Sequence, residues 1–122
     1  MEENRKSKQP FCFEVNEGGL FAFAGVWDGR KDENGNWVKT CSMLTTTPNA
    51  VTSGVHNRMP VILPSAVWSS WLGEDTAEPE QLKAVLAPYP AADMKMWPVS
   101  TRVGNVRNND PSLIEPIELT AV

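Results

Sequence analysis

The stretch from Leu44 to Leu63, LTTTPNAVTSGVHNRMPVIL, constrains this chain more than any other. It sets a helix-start signal, the chain's single histidine and an apolar strand in immediate succession. Thr47-Pro48-Asn49 has the form of a helix cap with proline at the first helical position. A short helix is expected over about 48–54, ended by Gly54. His56, Asn57 and Arg58 follow, and Met59 to Leu63 then reads as a buried strand. A titratable cluster thus lies at the joint between a helix and a strand. Such joints hold side chains still while leaving one end open to solvent.

The elements on either side are short too. Phe11 to Val15 and Leu20 to Trp27 read as strands around the turn Asn16-Glu17-Gly18-Gly19, and are expected to pair as a β-hairpin. Phe21 and Phe23 share one face, while Ala22 and Ala24 on the other let a neighbour pack close. Asp28 to Asn36, DGRKDENGN, reads as a solvated hairpin tip. A carboxylate-rich Ca²⁺ loop is the sharper alternative, but the EF-hand spacing is missing. Trp37 to Thr45 is a third strand. Pro64-Ser65 opens a helix that carries Trp68, Trp71 and Leu72 at i, i+3, i+4 and stops at Gly73. Its tryptophans read as core anchors rather than base-stacking platforms. Another helix is expected from about Pro79 to Ala87, with Leu82, Val85 and Leu86 on one face. Met94 to Ser100 reads as an edge or bent strand because Pro98 cannot donate to a ladder. Thr101 to Asp110 is a polar loop, and Ser112 to Val122 is weakly extended. This irregular alternation predicts an α+β fold with a mainly antiparallel sheet and short helices.

The length of 122 residues fits one domain, with residues 1–9 as a polar lead-in. The longest apolar run, Leu20 to Trp27, falls far short of the roughly 20 residues that span a bilayer. MEENRKSK at the start has no signal-peptide hydrophobic region, so a cytoplasmic protein without a membrane partner is expected. A net charge of −4 gives no general attraction for nucleic acid. Arg58, Arg102 and Arg107 still leave room for a local basic patch. Cys12 and Cys41 form no C-x-x-C pair and read as buried, reduced thiols; a catalytic pairing of one of them with His56 is the sharper alternative. Neither a metal nor a cofactor is expected. His56 reads either as a structural histidine bonding backbone at a strand end or as a general acid/base. Arg58, two residues on, would point the same way in an extended segment and would suit a phosphate-bearing substrate. An ordinary surface salt bridge is its plainer role. G-x-S-x-G, P-loop and H-E-x-x-H motifs do not occur.

The run TTTPNAVTSGVHNRMPVIL, with the Trp-x-x-Trp-Leu helix after it, resembles the SOS response-associated peptidase (SRAP) family. FAFAGVWDG at 21–29 is similar to that family's FAGLWE segment, and VSTRVGNVRNNDP at 99–111 to its closing segment. The resemblance runs from residue 10 to about 117. It implies an SRAP-like, partly open barrel that binds single-stranded DNA and captures abasic sites covalently. The family's nucleophile is an N-terminal cysteine, exposed by autocatalytic removal of Met, whose amine and thiol close a thiazolidine on the ring-opened sugar. An Asn, a Glu from a YEW-like segment and a His complete the site. His56 matches that His, as acid/base for Schiff-base formation and reversal. Arg58 matches an Arg that contacts phosphate beside the lesion.

The departures are as informative. Residue 2 is Glu2, and no YEW-like segment precedes residue 10. Asn49 and Asn57 lie inside the matching motif and do not replace the family Asn. Cys12 and Cys41 cannot close a thiazolidine, which needs a 1,2-aminothiol. Residues 10–122 are therefore expected to form a partial SRAP-like domain without the N-terminal catalytic segment, inactive alone. Two other roles remain open: a non-catalytic module binding single-stranded DNA or protein, and one half of a split SRAP protein, whose uncovered core would favour aggregation or a homodimer.

Overall fold

The computed structural model describes residues 8–119; Glu2, most of the polar lead-in and the last part of the C-terminal segment lie outside the described residues. The strands are β1 (Phe11–Val15), β2 (Ala22–Phe23), β3 (Gly25–Lys31), β4 (Trp37–Met43), β5 (Thr45–Thr46), β6 (Met59–Pro60), β7 (Ile62–Leu63) and β8 (Met94–Pro98). The α-helices are α1 (Trp68–Trp71) and α2 (Pro79–Ala84), with 3₁₀ turns between elements. No helix among the described residues is long and apolar enough to cross a membrane.

All strand pairs are antiparallel: β1 with β8, β2 with β7, β3 with β4, and β5 with β6. The last three ladders meet at one node. Ala24 N–H donates to Val61 O (2.8 Å), Val61 N–H to Leu44 O (2.9 Å), and Leu44 N–H to Ala24 O (3.0 Å). Each of these residues is the break between two short strands. Three chain segments therefore exchange partners around a closed ring of backbone bonds, and no amide is orphaned there. The strands do not close into a barrel among the described residues.

The node has two faces. Ala24, Val61 and Leu63 are buried together, covered by Leu44, Val67, Trp68, Trp71 and Val85. Trp68 Nε1–H donates to Leu63 O (2.8 Å) and Trp71 Nε1–H to Gly25 O (3.1 Å), so both tryptophans are anchors as their spacing predicts. Leu72 is not: it is exposed beyond the stripe, where Gly73 (φ +81°) ends the helix. The second cluster is Val15, Met59, Ile62, Tyr89 and Met94. Ala24 is wholly buried where three backbones converge. Ala24→Leu should overpack this node and cost about 1–3 kcal/mol, which thermal denaturation would register as a melting point lower by about 5 °C or more.

Several local expectations differ from the structure. The first hairpin does not form: β1 pairs with β8, far downstream, from Phe11 opposite Pro98 to Val15 opposite Met94, and β2 turns to β7. Asn16, Glu17 and Gly18 all adopt left-handed backbone (φ 52°, 56° and 86°), which swings the chain out of hairpin register. Tyr89 fixes this corner by donating its O–H to Asn16 Oδ1 (3.0 Å). The charged loop is shorter than expected, because β3 runs on to Lys31. Its tip is Asp32 to Asn36, with Asp32 Oδ1 accepting from the Asn34 and Asn36 amides. The segment 48–54 makes turns rather than a helix. The other expected helices are also trimmed, to Trp68–Trp71 after a 3₁₀ turn at Ser65–Val67 and to Pro79–Ala84. The strand expected over Met94 to Ser100 stops at Pro98, and the segment from Pro111 to Ile114 is a 3₁₀ turn.

Candidate functional site

The turns after Thr47 carry the site. Asn49 and Thr52 lock each other: Asn49 Oδ1 accepts from the Val51 and Thr52 amides (2.9 and 3.0 Å), and Thr52 Oγ1 accepts from the Asn49 amide (3.2 Å). The same arrangement caps helices, but here the chain turns once more and leaves. His56 N–H donates to Thr52 O (3.1 Å), which hangs the histidine from this lock. Asn49 Nδ2 reaches across the core to Tyr89 O (2.7 Å) and Met94 Sδ (3.2 Å), tying the turn to the start of β8.

His56 and Arg58 are both exposed and both line a cavity of about 430 Å³. They share a side although the segment between them is a bend and not a strand. His56 Nδ1 accepts the Arg58 amide (3.1 Å), so in the neutral ring the proton resides on Nε2. Arg58 Nε–H donates to Thr45 Oγ1 (2.9 Å) and an Nη2–H to Thr45 O (3.0 Å). Two contacts to one residue hold the guanidinium plane, and the Nη1 edge has no partner among the described residues. Among the described residues Arg58 makes no salt bridge; the partners it has are neutral. The remaining wall is largely apolar: Phe13, Val15, Phe21, Phe23, Val55, Met59, Pro60, Ile62 and Met94. Phe21 and Phe23 do share a face, their rings edge-on at 5.4 Å. The volume lies within the roughly 300–1,000 Å³ usual for small-molecule sites.

The other residues singled out lie elsewhere. Arg102 pairs with Asp110 (3.1 Å) and Ser112 near the C-terminal turns. Ser112 hydrogen bonds, with Arg102 beside them, hold the Asp110 carboxyl below the usual carboxylate range. Neither Arg102 nor Arg107 lines the cavity, so these two do not join Arg58 in a basic patch there. Cys12 is partly buried on β1, and burial followed by the Glu14 charge pushes its thiol up. Cys41 is exposed on β4, contrary to the buried reading. Neither thiol lines the cavity with His56, so the Cys–His pairing finds no support. Asn57 is exposed and does not line the cavity, and Asn49 is structural. The role of Thr45 was not legible, because nothing in a run of three threonines marks the one that faces Arg58.

The family model described as SOS response associated peptidase (SRAP) matches residues 2–106. The chain belongs to the SRAP family. It is 39% identical over 110 residues to "Abasic site processing protein YoqW" of Bacillus subtilis (strain 168), covering 90% of this chain and 49% of that protein. It is 34% identical over 102 residues to "Abasic site processing protein HMCES" of Gallus gallus, covering 82% and 30%. A crystal structure of a protein from Bacteroides thetaiotaomicron superposes with a TM-score of 0.78 at 23% identity, over 92% of this chain and 50% of that one. The SRAP-like α+β fold is thus shared. The chain spans about half the length of these relatives or less.

Proposed function

We propose that this SRAP chain supplies the His56–Arg58 side of a centre that processes abasic sites in single-stranded DNA during the DNA damage response. The observation that carries this reading is that His56, held through Nδ1 by the Arg58 amide, and the Arg58 guanidinium, held by Thr45, line one cavity. The names of its relatives, abasic site processing proteins, supply the substrate class. The Nη1 edge of Arg58 is free to bind a backbone phosphate. The sugar of the lesion enters the cavity, where no base has to be accommodated. His56 offers Nε2 to the reacting aldehyde. As imidazolium it protonates the departing hydroxyl of the carbinolamine, which leaves as water when the imine forms; as imidazole it takes the proton back when the imine hydrolyses.

Imine formation needs an amine, and no lysine or cysteine lines the cavity among the described residues. On this reading the amine comes from a companion N-terminal SRAP segment. The exposed Phe21 and Phe23, each with over two fifths of its surface open, are a suitable apolar seat for it, or for a second copy of this chain. Alone, the chain does not crosslink DNA. That no described lysine lines the cavity favours one second reading, a non-covalent module for single-stranded DNA. Both readings require Arg58 to touch phosphate. Arg58→Ala is expected to weaken binding to an abasic oligonucleotide roughly tenfold and to reduce the salt slope by about 0.7. An unchanged affinity and slope in anisotropy titrations would remove Arg58 from the interface.

A further inference from the structure

The hairpin of β3 and β4 carries a second surface. By the two-residue alternation, Trp27, Gly29 and Lys31 share a face with Trp37, Lys39 and Cys41. Carried back through the node, the same alternation leads to Phe23 and Thr45 at the cavity wall. Gly29 floors a shallow depression between the two indoles: a Cβ there would lie 3.9 Å from each ring system. Lys39 Nζ sits 5.6 Å from the Trp27 ring centre and Lys31 Nζ 5.4 Å from that of Trp37. These pairs steady the hairpin without covering the rings, for Trp27 and Trp37 remain 70% and 68% exposed.

Charge is segregated on this face. The whole chain carries −4, yet the alternation sets two lysines here and no carboxylate. Asp28, on the opposite face by this alternation, also lines the depression, with Oδ1 taken up by the Gly29 amide (3.0 Å). We propose that this face is a platform for single-stranded nucleic acid, leading a strand away from the His56–Arg58 cavity. A base stacks on each indole, and the lysine over that ring meets the neighbouring phosphate. Stacking of this kind is indifferent to base identity, which suits a strand that flanks a lesion in any sequence. The inference rests on the DNA reading of the cavity.

The test is an anisotropy titration of the full chain with dye-labelled single-stranded oligonucleotides of about 15 and about 4 nucleotides, each with one abasic site. Trp27→Ala and Trp37→Ala should each weaken binding of the longer strand about tenfold and leave the shorter unchanged, with Trp→Phe restoring most of the loss. Lys31→Gln with Lys39→Gln should lower the salt slope for the longer strand by about 1.4. If the unaltered chain binds the longer strand and every variant binds it equally well, the platform is overturned and the cavity reading stands. If the unaltered chain binds neither strand, both fall.

Discussion

His56→Ala is expected to slow crosslinking to abasic DNA by roughly 100- to 10,000-fold when the chain is complemented with an N-terminal SRAP half, the usual range for a positioned acid/base. Binding should change far less, because Arg58 keeps both bonds to Thr45. Stability should hardly change either. His56 is exposed, and water can replace Nδ1 as acceptor for the Arg58 amide. His56→Gln separates two roles: it can accept a hydrogen bond but cannot shuttle a proton near neutral pH. A Gln variant as slow as Ala assigns proton transfer to His56. A Gln variant with full rate would reduce the histidine to a spacer for Arg58.

Asn49→Ala is expected to cost about 2–4 kcal/mol. It strips two amides of their cap, worth about 1 kcal/mol, and leaves the carbonyl of the buried Tyr89 without its donor, worth about 1–3 kcal/mol more. Asn49→Ser keeps an acceptor for the cap and loses only the reach to Tyr89, so it should fall between the two. Urea denaturation of the three proteins checks the order. Equal midpoints would mean that the bridge from the turn to β8 carries no energy. Because His56 hangs from Thr52 O, the Ala variant should also blur the site in chains that remain folded.

Much of the candidate site's layout was legible because it is local. His56, Arg58 and the Thr47-Pro48-Asn49 cap lie within a dozen residues, and their types announce their chemistry. The helix inferred from that cap was wrong for an instructive reason. Asn49 and Thr52 do make the reciprocal cap bonds, two residues beyond Thr47, but the chain makes only turns as far as Val55, where the Val55 and His56 amides both go to Thr52 O. Trp68 and Trp71 were readable from their spacing, since a helix on a sheet must bury one stripe. The pairing of β1 with β8 was not readable. A turn-rich stretch between two strands suggests a hairpin, and only the left-handed run at Asn16 to Gly18 diverts it. The node of Ala24, Leu44 and Val61 is made by backbone groups, which every sequence possesses. Ala24 alone left a trace, as the small residue that allows close approach.

The most direct measurement is a denaturing gel of the chain with a single-stranded oligonucleotide carrying one abasic site, with and without a polypeptide bearing the N-terminal half of an SRAP domain. The account predicts a shifted, covalent band only when both pieces are present, and its loss on His56→Ala. A covalent band from the chain alone that disappears on His56→Ala would contradict it, because the amine would then have to come from this chain.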